Sequence, residues 1–164
     1  MKIAIVLGTR PEIMKNYAIV KAFRRDRMPF VVLHTNQHAM AEMSGTVFAQ
    51  MGYAPDAVFP GAYRIGAAVD WVREQLRLHA ADLLLVNGDT AAALVGAVAA
   101  LYSDVPLVHV EAGLRAFDRR MIEERNRIMV DAVAAYLFTY TDFQTAYLQR
   151  MQEVRGRILT VGNT

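Results

Sequence analysis

The sequence predicts an α/β domain of three layers, a doubly wound parallel sheet with helices on both faces. Three observations carry this. Short apolar runs alternate with longer segments of helical spacing along the whole chain. The runs lack strict polar alternation, which is how strands buried on both faces read. The chain has 164 residues, 54% of them hydrophobic, enough for one compact core and little more.

The first strand spans residues 3–7. Pro11 suits a first helical turn, because the N–H it lacks would be unpaired there anyway, and that helix runs to about Arg25. A strand at 30–33 and a helix at 39–51 follow. A minor strand at 57–59 is bracketed by Pro55 and Pro60. In the helix at 65–80, Ile65, Val69, Val72 and Leu76 share one face, a core stripe. After the strand at 83–86, the helix at 90–102 is apolar almost all round, so it is expected against the sheet and a further element. A strand at 107–110, a helix at 122–134, a strand at 136–140, a helix at 143–153 and a weaker strand at 158–161 complete the alternation. Without repeats, linkers or low-complexity tracts, residues 1–164 read as a single domain. The sequence stops at Val161-Gly162-Asn163-Thr164, a turn just past a strand. Such a turn leads into further structure, so the domain is expected to be half of a larger architecture.

Composition excludes several function classes. Lysine plus arginine total 18 and aspartate plus glutamate 16, a net charge of +2, and the basic pI rests on that surplus alone. Without a basic stripe, no nucleic-acid partner is expected. Cysteine is absent, which removes disulfides, thiolate metal sites and Cys nucleophiles. The longest apolar run, residues 91–102, is well short of the roughly 20 residues of a membrane span. With no signal-peptide pattern at the N-terminus, a cytoplasmic protein with no membrane partner is expected.

In an open parallel sheet, ligands bind beyond the carboxyl ends of the strands. Four strand tips here carry polar residues with glycine nearby: Gly8-Thr9-Arg10-Pro11-Glu12, His34-Thr35-Asn36-Gln37-His38, Asn87-Gly88-Asp89-Thr90 and Glu111-Ala112-Gly113-Leu114-Arg115. That convergence points to a functional cleft. Each piece also has a plainer reading. The first is either a strand-to-helix turn capped by Thr9, or an anion site where helix N–H groups join Arg10 and, one turn on, Lys15. Asp89 either caps the following helix or faces the cleft. Glu111 directly follows the strand run at 107–110, where burial is expected, so its carboxylate needs a partner or a raised pKa, and Arg115 is the candidate partner. Glu123-Glu124 with Arg125 and Arg127 reads as a solvated helix start. His79 and His109 read as structural. Metal-ligand spacings are absent, as are the P-loop, the G-x-G-x-x-G fingerprint and the G-x-S-x-G elbow, so no metal or dinucleotide cofactor is expected.

These strings, with Gln37-His38, His109-Val110-Glu111-Ala112-Gly113-Leu114-Arg115, Glu123-Glu124, Asn126-Arg127 and Val161-Gly162-Asn163-Thr164 in that order, resemble the N-terminal domain of the non-hydrolysing UDP-N-acetylglucosamine 2-epimerases. The sequence departs from that family in having Asn36 where a glycine is usual and Ile122 where a proline is usual. The resemblance implies a Rossmann-like domain, one half of a two-domain GT-B type fold, whose C-terminal nucleotide-binding half is absent. It implies interconversion of UDP-GlcNAc and UDP-ManNAc by elimination and re-addition of UDP, with no cofactor. Carried over by motif, Asp89, Glu111 and Glu123 match catalytic acids. Arg10, Lys15 and Arg115 match substrate-binding positions. Gln37 and His38 match part of a regulatory site. A homo-oligomer or a complementary C-terminal half is implied as partner. The rival expectations are hydrolysing epimerase chemistry, a non-catalytic nucleotide-sugar or partner-binding module, and a glycosyltransferase acceptor domain.

Overall fold

The computed structural model describes residues 1–37 and 41–163, the side chains of residues 41–43 excepted. The chain alternates strand and helix throughout: β1 (Ile3–Leu7), α1 (Arg10–Arg25), β2 (Phe30–His34), α2 (Ala41–Met51), β3 (Ala57–Val58), α3 (Ile65–Leu78), β4 (Leu83–Asn87), α4 (Ala91–Leu101), β5 (Leu107–Val110), α5 (Ile122–Val133), β6 (Tyr136–Thr139), α6 (Asp142–Leu148) and β7 (Arg157–Thr160). The seven strands form one sheet in the order β3-β2-β1-β4-β5-β6-β7. Every recorded pairing is parallel.

This order fixes where the helices lie. The chain winds from β1 outward to β3, returns to β4 beside β1, then winds outward to β7. Right-handed crossovers place helices of the two directions on opposite faces. The two cores follow that division. Ile13 and Val20 of α1 and Phe48 of α2 pack on Ile5, Leu7 and Val32. Ala68 and Val72 of α3, Val95 of α4, Val130 of α5 and Leu148 of α6 pack with Val6, Leu84, Leu107 and Leu137. Helix α4 contacts both α3 and α5 as well as the sheet, which is why it is apolar on nearly every side. On the face carrying α1 and α2, the outer strands keep apolar side chains near the surface. Tyr136 and Val161 are exposed, and Phe138 and its register partner Leu159 are half-buried.

Helix α6 is shorter than the expected 143–153 and closes at Leu148, where a turn through Met151 replaces a further helical turn. Among the described residues, no helix is long and apolar enough to cross a membrane.

The direction of winding reverses between β1 and β4. The loops after these two neighbouring strands therefore splay apart and leave a crevice at the carboxyl edge. Gly8 sits there against the end of β2 and the start of α4. A Cβ on it would fall 2.8 Å from Cβ of Ala92, so a side chain would push the loops apart.

Candidate active-site cleft

The crevice is an open cleft of about 520 Å³, lined among others by Thr9, Arg10, Gln37, Asp89, Thr90 and Glu123. Arg10, Gln37, Asp89 and Glu123, expected from separate strand tips and a helix start, thus come together. His38 lies outside the described residues.

Glu12 anchors the floor, and the sequence reading gave it no role of its own. Its buried carboxylate accepts hydrogen bonds from the Gly8 and Thr9 amides at 2.9 and 2.8 Å and from the Thr9 hydroxyl at 2.8 Å. The Thr90 hydroxyl donates to it at 2.7 Å. Burial pushes its pKa up, and these bonds pull it back. One carboxylate so ties the loop after β1 to the loop after β4. It also takes up the Gly8 and Thr9 amides just ahead of the helix. Pro11 has none to give. The start of α4 is used in the same way. Thr90, not Asp89, is its N-cap, accepting from Ala93 N at 3.1 Å, and Gln37 Oε1 accepts from Ala92 N at 3.0 Å. The Arg10 side chain lines the cleft, where its guanidinium can meet an anion.

Asp89, freed from capping, forms a short ion pair with Arg127. The Asn126 amide holds the Asp89 carbonyl at 2.9 Å. Arg127 also reaches Glu124 at 3.0 Å. Glu123, on the outer side of the same helix start, is exposed at the rim of the cleft.

Glu111 lies behind Asp89, at the tip of β5. It adopts φ +70°, a left-handed backbone conformation that is strained for a non-glycine residue. Its carboxylate is buried, with Lys15 Nζ 2.7 Å from Oε1 and 2.9 Å from Oε2 and the Tyr140 hydroxyl hydrogen-bonded to Oε1. The expected Arg115–Glu111 pair is not formed. Arg115 turns inward instead, its side chain only 2% exposed, and pairs with Asp131 at 2.7 Å. It also stacks on the ring of Tyr147. The positive φ at Glu111 and at Gly113, two residues on, bends the chain after β5 away from an extended course. Lys15, one turn into α1, meets the carboxylate instead. Tyr140 was not anticipated. It follows β6 as Glu111 follows β5, and that shared position at neighbouring strand tips was the available signal.

Residues 21–164 match the family model described as UDP-N-acetylglucosamine 2-epimerase. The chain belongs to the UDP-N-acetylglucosamine 2-epimerase family. The enzyme of that name from Methanocaldococcus jannaschii is 35% identical over the whole chain, which spans 46% of that protein. A UDP-2,3-diacetamido-2,3-dideoxy-D-glucuronate 2-epimerase from Pseudomonas aeruginosa is 36% identical, over 99% of the chain and 49% of its own length. The crystal structure of the Methanocaldococcus jannaschii epimerase in complex with UDP-GlcNAc and UDP superposes with a TM-score of 0.91, over 99% of this chain and 47% of that one. MurG of Acinetobacter baumannii, at 11% identity and a TM-score of 0.60, shares the fold alone. The fold is thus the Rossmann-like N-terminal domain of the epimerase family, and the chain spans about half the length of the relatives it matches.

Proposed function

We propose that the chain is the acid–base half of a UDP-GlcNAc 2-epimerase. The observation that carries this is the meeting of Arg10, Gln37, Asp89 and Glu123 on one cleft, with the Lys15–Glu111 pair beside it. In the reaction, a base removes the C2 proton while the C1–O bond breaks, its electron pair leaving with UDP, and a C1–C2 double bond forms. UDP then re-adds to C1 as an acid delivers a proton to the opposite face of C2. Glu111, Asp89 and Glu123 are the groups to move these protons. Arg10 and Lys15 offset the charge of the departing diphosphate. Arg115, being buried, supports the site from within rather than touching substrate. Gln37 is well placed to report occupancy of the neighbouring regulatory position to the start of α4. The setting proposed is the cytoplasm.

A complementary half is needed to close the cleft, hold the nucleotide and exclude water. A second copy is proposed to dock through α4 and α5. Between them runs an apolar groove of about 270 Å³ lined by Leu94, Val98, Leu101, Met129 and Val133, with Leu101 55% exposed and Met129 44% exposed.

The test is complementation. The chain is mixed with a separately expressed C-terminal half of a relative and supplied with UDP-GlcNAc. UDP-ManNAc is expected from the mixture and not from the chain alone. Free ManNAc and UDP as products would favour the hydrolysing chemistry. Tight binding of UDP-GlcNAc with no product in the mixture would favour a binding module.

A further inference from the structure

The side chain of His109 is fully buried in the floor of the site, and the functional reading leaves it unused. Its Nδ1 lies 2.6 Å from Asp131 Oδ1 and its Nε2 lies 2.8 Å from the carbonyl oxygen of Gly88. A carbonyl oxygen and a carboxylate are both acceptors. A neutral imidazole has one N–H and one bare nitrogen, so it can satisfy only one of them. The other contact would set two lone pairs against each other.

Moving the proton to Asp131 would satisfy both contacts, but it would set a neutral carboxyl beside the Arg115 guanidinium, which favours the ionised form. The Asp131 carboxylate also accepts from Arg115 Nη2 at 2.7 Å and from the Gly113 amide at 3.2 Å. The surrounding charges agree. Arg115 also faces Glu124 at 4.0 Å, Arg127 bridges Glu124 and Asp89, and among the described residues no other charged side chain forms an ion pair with this chain of pairs. With the ring doubly protonated, His109, Arg115 and Arg127 balance Asp89, Glu124 and Asp131. With a neutral ring, one negative charge is left uncompensated in a cluster whose Asp131 and Glu124 are buried.

We infer that His109 is a buried imidazolium clamp, one N–H fixed to Asp131 of α5 and the other to the Gly88 carbonyl, and that it is a positioning residue for Asp89. Gly88 is held from both sides, since its own amide donates to Val110 O at 3.0 Å. Its φ of +78° turns the chain so that Asp89 faces the cleft and Glu111 lies against its α-carbon. The positioning role rests on the catalytic reading of Asp89, whereas the charged clamp does not.

The experiment is nitrogen-15 NMR of the histidine rings in the unliganded 164-residue chain at pH 7, which needs neither substrate nor turnover. Two protonated, slowly exchanging ring nitrogens are expected for His109. One bare nitrogen would overturn the clamp whatever the fate of the catalytic reading. In Asp131→Asn, the Nδ1–H signal is expected to be lost, because the asparagine amide can donate to a bare Nδ1, while the Nε2–H stays on the Gly88 carbonyl. His109→Gln keeps a donor at the Nε2 position and His109→Asn keeps one at the Nδ1 position. The Gly88 and Asp89 backbone amide signals should stay near their wild-type positions in the first and move in the second. Equal displacement in both would overturn the positioning role. Should neither variant fold, slow exchange of both wild-type ring N–H protons decides, and the absence of either counts against the clamp.

Discussion

Lys15 Nζ and Glu111 Oε1 sit 2.7 Å apart although 96 residues separate them in the chain. Glu111→Gln keeps the shape and most of the hydrogen bonding of this pair and removes the exchangeable proton. In the complemented enzyme, kcat should fall by roughly 100- to 10,000-fold with little change in UDP-GlcNAc affinity. Calorimetric titration beside steady-state kinetics separates the two. A variant that keeps its kcat and loses affinity would reduce Glu111 to an anchor for Lys15.

Gly88→Ala places a Cβ 3.0 Å from Glu111 Oε2 at a φ of +78°. Gly52 has a φ of +67° and open space around its would-be Cβ. Both substitutions bear the backbone cost of a left-handed residue, about 1 kcal/mol or more. Only Gly88→Ala should also lower turnover in the complemented enzyme. Denaturant midpoints with kinetics on both variants check this, and equal activity would show that the approach of Gly88 to Glu111 is immaterial.

His34 is buried against Phe48, and burial pushes its pKa down to about 4. Between pH 6.5 and 4 the unfolded chain therefore binds a proton at this position that the folded chain does not. Its contribution to stability is present above pH 6.5 and lost as the pH falls towards 4. The gap corresponds to about 3 kcal/mol at most. Asp131, with a lowered pKa, loses its contribution only at lower pH. Urea midpoints from pH 7 to 4.5 should drop in the wild type and drop less in His34→Gln. Parallel curves would rule His34 out as the source.

Thr90→Ala removes the cap of α4 and one of the donors on Glu12. Loss of the cap costs about 1 kcal/mol, and the buried carboxylate left with fewer partners adds to it. Thermal unfolding should show a lower midpoint, with Thr90→Ser recovering most of the loss. Failure of serine to recover it would mean that the threonine methyl, not the hydroxyl, matters.

Leu101→Glu places a charge on the exposed α4–α5 groove without touching the core. Sedimentation should show a wild-type dimer and a monomeric variant. A wild-type monomer at high concentration would remove the proposed docking surface.

The sheet was legible because its strands are runs of Val, Ile and Leu bracketed by glycine and polar tips, and that pattern survives in one dimension. Parallel topology puts Arg10 and Asp89 at neighbouring strand tips, and in the structure both line one cleft. Pairing was not legible. Arg115 is four residues from Glu111 yet points away, because the positive φ values at Glu111 and Gly113 bend the chain and Arg115 turns inward to Asp131. Asp89 precedes a helix yet leaves the capping to Thr90. The role of Glu12 was hidden because a glutamate in a first helical turn ordinarily needs no explanation beyond the helix dipole. The end of α6 was missed because residues 149–153 contain no glycine or proline to mark a stop.

The sheet's own handedness has a practical consequence. The crossovers that lay α3 to α6 on one face leave Tyr136, Phe138, Leu159 and Val161 bare or half-bare on the other. That strip is where the purified domain would meet dyes, detergents and its own misfolded copies. An environment-sensitive fluorophore should light up on the native protein, and polar replacements at Tyr136 and Val161 should quench it and raise the concentration the protein tolerates. The chirality of a single amino acid, carried through seven strands, thus decides which side of this molecule is adhesive.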